Sequence, residues 1–85
     1  MNTAQKLKQY IATEIMYADD ADALSEDEPL LGSGIIDSLG IMRLVSYIEE
    51  EFGVEVPEEQ LVPEHFRTVT VLAQFVDSLQ RGASA

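Results

Sequence analysis

The sequence predicts an all-α fold, a small four-helix bundle with a long loop between helices 1 and 2. Three observations carry that expectation. Apolar residues recur at spacings of three and four in separate stretches, and the alternating pattern of a half-buried strand is nearly absent. The chain has only 85 residues, 46% of them hydrophobic, which suits one economical core. A single domain over 1–85 is expected, with a frayed tail at about 81–85.

The first helix is expected over residues 3–17, because Ala4, Leu7, Ile11 and Ile15 form one stripe. Asn2 or Thr3 can cap it. From residue 18 to 36 the periodicity gives way to acids, Pro29, Gly32 and Gly34, with Leu24, Leu30 and Leu31 as anchors. A loop this long in a small domain is usually functional or partly disordered. Helix 2, over 39–52, is the clearest in the chain: Ile41, Leu44, Val45, Ile48 and Phe52 make a single buried stripe, and Gly53 is the stop signal. After the extended Val54 to Pro57, a helical turn is expected from Pro57 to Leu61, ended by Pro63. Thr68 caps the last helix, over 69–80, whose stripe is Val69, Leu72, Ala73, Val76 and Leu79.

Composition excludes several functions. With 16 acids against 5 bases, a formal charge of −11 and no cysteine, the chain has none of the basic character that recruits nucleic acid or anionic membranes. Partner surfaces are expected to be basic. The absence of cysteine removes disulfides, thiolate zinc sites and a thiol nucleophile. The first residues open neither a signal nor a transit peptide, and the longest apolar runs are a few residues long, so a cytoplasmic protein is expected.

The start of helix 2 carries the chemistry. Asp37 and Ser38 are two adjacent capping residues where a helix needs one. If Asp37 caps, with its charge at the positive end of the helix dipole, the Ser38 hydroxyl is free to face outward beside unpaired N–H groups that suit a phosphate ester. The plainer alternative leaves Ser38 as a cap and nothing more.

The wider context resembles the acyl carrier and peptidyl carrier protein family. The residues that carry the resemblance are Asp37-Ser38-Leu39, the preceding run from Leu31 to Ile36, the helix end Ile48-Glu49-Glu50-Glu51-Phe52-Gly53, the stretch Val54 to Pro57 and the Thr68-Val69 start of the last helix. It extends from Leu30 to Val76. The resemblance implies an acyl-carrier-like four-helix bundle that is not itself an enzyme. Ser38 would receive 4′-phosphopantetheine from coenzyme A through a phosphopantetheinyl transferase, with Asp37 as the flanking cap. The arm's thiol would hold an acyl or aminoacyl group as a thioester, which accords with a chain that has no thiol of its own.

Around Ser38, helical geometry groups Leu39, Met42 and Ser46 on a face beside Arg43. Leu39 could pack under the loop and Met42 could fill a core gap; taken together, Leu39, Met42 and Arg43 suit a partner-contact face. Carriers of the fatty-acid type typically place acids where this chain has Gly40 and Arg43. The run from Ile41 to Val45 looks more like peptidyl carriers and free-standing carriers that work with AMP-forming ligases. The resemblance therefore implies a monomeric, stand-alone carrier in a specialised fatty-acyl, polyketide or nonribosomal-peptide pathway. An unmodified acidic helical interaction module with the same fold is the alternative.

Three other features invite readings. Glu49, Glu50 and Glu51 oppose the helix dipole, as a solvated face or as contacts for a basic partner. His65 has no evident catalytic company, so a structural or surface role is expected. Asp19, Asp20 and Asp22 lack the glycine and terminal glutamate of a calcium loop.

Overall fold

A computed structural model describes residues 2–20 and 24–82. Asp22 of the acidic loop and residues 83–85 of the expected frayed tail lie outside the described residues.

Helix α1, Thr3–Tyr10, begins at Asn2, whose side chain accepts the Gln5 N–H at 2.8 Å. The Gln5 side chain accepts the Asn2 N–H in return at 3.1 Å, a reciprocal capping box. Thr3 is thereby freed to donate to Asp77 at 2.9 Å, tying α1 to the last helix. The α-helix stops earlier than the stripe predicts. A π turn occupies Ile11–Ile15, closed by Met16 N–H to the Ile11 carbonyl at 2.9 Å. The extra residue per turn lets both Ile11 and Ala12 face the core, where both are fully buried. Tyr17 then reverses the chain in the left-handed region, at φ 57. For a residue with a side chain that conformation costs about 1–2 kcal/mol.

The long connection is tethered. Leu24 and Leu30 are fully buried and Ile36 nearly so, while Leu31 is only half-buried. Backbone bonds run from Leu30 N–H to the Arg67 carbonyl at 2.8 Å and from Thr70 N–H to the Glu26 carbonyl at 3.1 Å. These bonds hold the loop against the start of the last helix.

Helix α2, Ser38–Phe52, ends at Gly53, whose left-handed backbone (φ 65) lets its N–H reach the Glu49 carbonyl. Its buried line is Gly40, Leu44, Val45 and Ile48, with Ile41 and Phe52 only half-buried. The expected stripe therefore faces the core, with Ile41 and Phe52 packed at its margin. Gly40 joins it because it has no side chain and Ile36 closes over that face.

Two 3₁₀ turns, Glu58–Gln60 and Pro63–Phe66, replace the short third helix. Val62 before Pro63 is held extended (φ −118, ψ 149), as a residue preceding proline prefers, so the first turn cannot run on into the second. Pro63 therefore opens a turn as well as closing one. Helix α3, Val69–Gly82, starts where Thr68 accepts the Val71 N–H at 3.1 Å. It continues two residues past the expected end. Among the described residues, three α-helices, a π turn and two 3₁₀ turns surround one core, centred on Leu7, Ile11, Leu44, Ile48, Phe66, Leu72 and Val76, all at most 1% exposed. No helix among the described residues is long and apolar enough to cross a membrane.

Candidate functional site

The site is built by the loop closing onto α2. Asp37, extended at φ −115, is the N-cap: its carboxylate accepts the Gly40 N–H at 2.8 Å and its carbonyl accepts the Ile41 N–H at 2.9 Å. Ser38 is therefore the first helical residue and is exposed. With the caps taken by Gly40 and Ile41, helix geometry leaves the N–H groups of Ser38 and Leu39 without an intrahelical acceptor. They point from the positive end of the dipole, so this corner suits an anion covalently attached at the serine.

Gly40 explains a departure noted in the sequence. A Cβ at this position would stand 3.1 Å from Ile36 Cγ2 and 3.5 Å from the Asp37 carboxylate. An acid at this position would crowd the Ile36 side chain and face the cap's own charge.

Leu39 and Met42 are 73% and 56% exposed. Neither lies under the loop or fills the core, and Ser46 one turn on is exposed as well. Arg43 beside them is also exposed. Its guanidinium is pushed above its ordinary pKa chiefly by hydrogen bonding to the Tyr17 hydroxyl, with smaller contributions from Tyr10. Tyr10 donates to the Arg43 carbonyl at 3.4 Å and stacks on Tyr47 with ring centroids 4.1 Å apart. Tyr17 was not singled out by the sequence pattern. It lies past the last stripe residue, and a tyrosine gives no sign of a left-handed turn.

The other expected features take structural roles. Glu49 accepts the Val56 N–H at 3.0 Å, and Glu51 pairs with Lys6 at 3.1 Å. Two of the three acids that oppose the dipole are therefore engaged within the fold, while Glu50 stays exposed. His65 stacks on Phe75 at 4.1 Å and its Nδ1 meets the Gln60 carbonyl at 2.8 Å. This pins the 3₁₀ region to α3. Among the described residues no three His, Asp or Glu side chains gather as a metal site.

Comparison with known proteins places this geometry. Residues 5–76 match the family described as "Phosphopantetheine attachment site". A chain in a solved structure described as "Crystal structure of FAD-dependent dehydrogenase" is 37% identical and superposes with a TM-score of 0.74, over 84% of this chain and 99% of that one. Carriers of this family are modified by phosphopantetheinyl transferases and work with the enzymes of their pathways. The chain belongs to the phosphopantetheine attachment site family, and is a carrier domain whose cofactor is covalent 4′-phosphopantetheine.

Proposed function

We propose that Ser38 is the attachment residue and that the chain works as a single, monomeric carrier unit in the cytoplasm. The observation that carries this reading is an exposed serine at the first position of α2, freed from capping duty by Asp37. In the modification, the Ser38 hydroxyl gives up its proton and forms a new P–O bond as the pyrophosphate P–O bond of coenzyme A breaks. Adenosine 3′,5′-bisphosphate leaves. The charge of the resulting phosphodiester suits the N–H groups of Ser38 and Leu39. When attached, the arm supplies the thiol on which an acyl or aminoacyl cargo is held and passed between enzymes.

Two partners follow from the character of α2 and from the structural relative. Gly40 and Arg43 replace the acids that a fatty-acid synthase engages, which supports loading by a dedicated AMP-forming ligase. The relative's description names an FAD-dependent dehydrogenase, and the matched chain is carrier-sized, because the match takes in 99% of it. A flavin dehydrogenase is accordingly the proposed client. A thioester carbonyl acidifies the adjacent C–H, so the carbon beside it loses a proton, the next carbon loses a hydride to FAD, and reduced flavin balances the new double bond.

A loading panel tests this. Pantetheinylated protein is offered an adenylating ligase with ATP and an acid, or a malonyl transferase with malonyl-coenzyme A, and is followed by intact mass. Loading by the ligase alone is expected; efficient malonyl loading without ligase loading would refute the pathway assignment.

A further inference from the structure

A groove of about 730 Å³ runs along α3, and none of the residues lining it belongs to α2. Its floor is α3 itself: Val71, Phe75 and Leu79 recur at four-residue spacing, with the exposed Gln74 and Ser78 beside them. The facing wall is drawn from the segment 55–65. His65 fixes that wall, since its ring stacks on Phe75 with centroids 4.1 Å apart and its Nδ1 meets the Gln60 carbonyl at 2.8 Å. The groove is therefore formed before anything enters it, which lowers the ordering cost of binding. From Val71 to Gly82 it is about 16 Å long at the helical rise of about 1.5 Å per residue.

We propose that this groove is a docking surface, separate from the attachment corner, for a basic amphipathic helix of a partner protein about three turns long. Charge and hydrogen bonding select this occupant. Glu55, Glu58, Glu59 and Glu64 on the wall segment are all exposed, and between Arg43 and Arg67 the chain has no lysine or arginine. The rim is negative and the floor apolar, so the matching surface is apolar at its centre and cationic at its edges. An extended peptide would need free backbone groups to pair with. The N–H groups of Gln60, Leu61, Val62 and His65 are instead bonded within their own turns, and α3 pairs its own backbone. A helix arrives with its backbone already paired and lays only side chains into the groove. A second copy of the chain, also at −11, would be repelled. Because no α2 residue lines the groove, a partner anchored here needs none of the residues around Ser38. The two contacts together would raise the effective concentration of each.

The test titrates the full chain, labelled with ¹⁵N, with a synthetic helix of about 15 residues that has leucines on one face and lysines on the other. A scrambled peptide of the same composition keeps the charge and loses the face. The amphipathic peptide should shift the amides of Gln60, His65, Gln74 and Ser78 and leave those of Leu39 and Met42 in place, and the scrambled one should bind at least about tenfold more weakly. Two variants at exposed positions of α3 add the same charge: Ser78→Lys in the groove and Gln80→Lys outside it. Ser78→Lys should weaken the amphipathic peptide at least about tenfold and Gln80→Lys less than about twofold, with both melting close to wild type. Equal binding of the two peptides, equal effects of the two variants, or shifts confined to the first turns of α2 would overturn the inference. Groove amides that move with protein concentration alone would assign the groove to a second copy, and those that move when phosphopantetheine is attached would assign it to the arm. Either result would also overturn it. All of these readouts are independent of whether Ser38 accepts the cofactor.

Discussion

The two ends of α2 are put to opposite uses. At the C-terminal end, polar groups turn inward to the fold: Glu49 accepts Val56 N–H, Glu51 pairs with Lys6, and Gly53 folds back on the Glu49 carbonyl. At the N-terminal end, Ser38, Leu39, Met42 and Arg43 face outward, while Asp37, Gly40 and Ile41 serve the fold. One helix therefore separates a structural end from a presenting end. The hydroxyl and apolar side chains are left exposed where the dipole favours an added negative charge, and two of the three acids that the dipole disfavours, Glu49 and Glu51, are held by specific partners.

Substitutions should divide along the same line. The largest loss of stability is expected from Gly40→Asp, where a new side chain meets Ile36 at 3.1 Å and its charge opposes the Asp37 cap. Overpacking and a weakened cap together should cost about 2–4 kcal/mol, read by urea denaturation. A smaller loss is expected at the other end. Glu49→Ala strands the N–H of the buried Val56, and about 1–2 kcal/mol should be lost even though a charge unfavourable to the dipole is removed. The smallest is Met42→Glu, expected to stay within about 0.5 kcal/mol of wild type because the side chain is exposed. It should nonetheless weaken client docking. A Met42→Glu protein that unfolds readily, or a Glu49→Ala protein as stable as wild type, would break the division.

Much of this was legible in the sequence where the signals are local. The Asp37 cap, the Gly53 stop, the Thr68 cap and the α3 stripe are decided by residues within one or two turns, and the structure bears them out. Helix geometry grouped Leu39 and Met42 beside Arg43 but left open that they pack under the loop or in the core; the structure leaves all three exposed. What escaped was set by packing that no apolar period marks. The π turn at Ile11–Ile15 depends on how Ile11 and Ala12 meet the core, and the burial of Gly40 depends on Ile36 closing over it. The third helix breaks into two 3₁₀ turns at Pro63, a break that the sequence marked only as an end. The Glu49 to Val56 bond is a pairing past the helix end that no periodicity encodes.

The central claim is that Ser38 carries the cofactor, and the neighbouring Ser33 provides the sharpest control. Both serines are exposed in the same loop-to-helix junction, but the Ser33 hydroxyl donates back to the Pro29 carbonyl, whereas Ser38 opens α2. Wild type, Ser33→Ala and Ser38→Ala are co-expressed with a promiscuous phosphopantetheinyl transferase and weighed intact. One phosphopantetheine on wild type and on Ser33→Ala, and none on folded Ser38→Ala, is the predicted result. An adduct that survives Ser38→Ala, or its absence from folded wild type, would contradict the account.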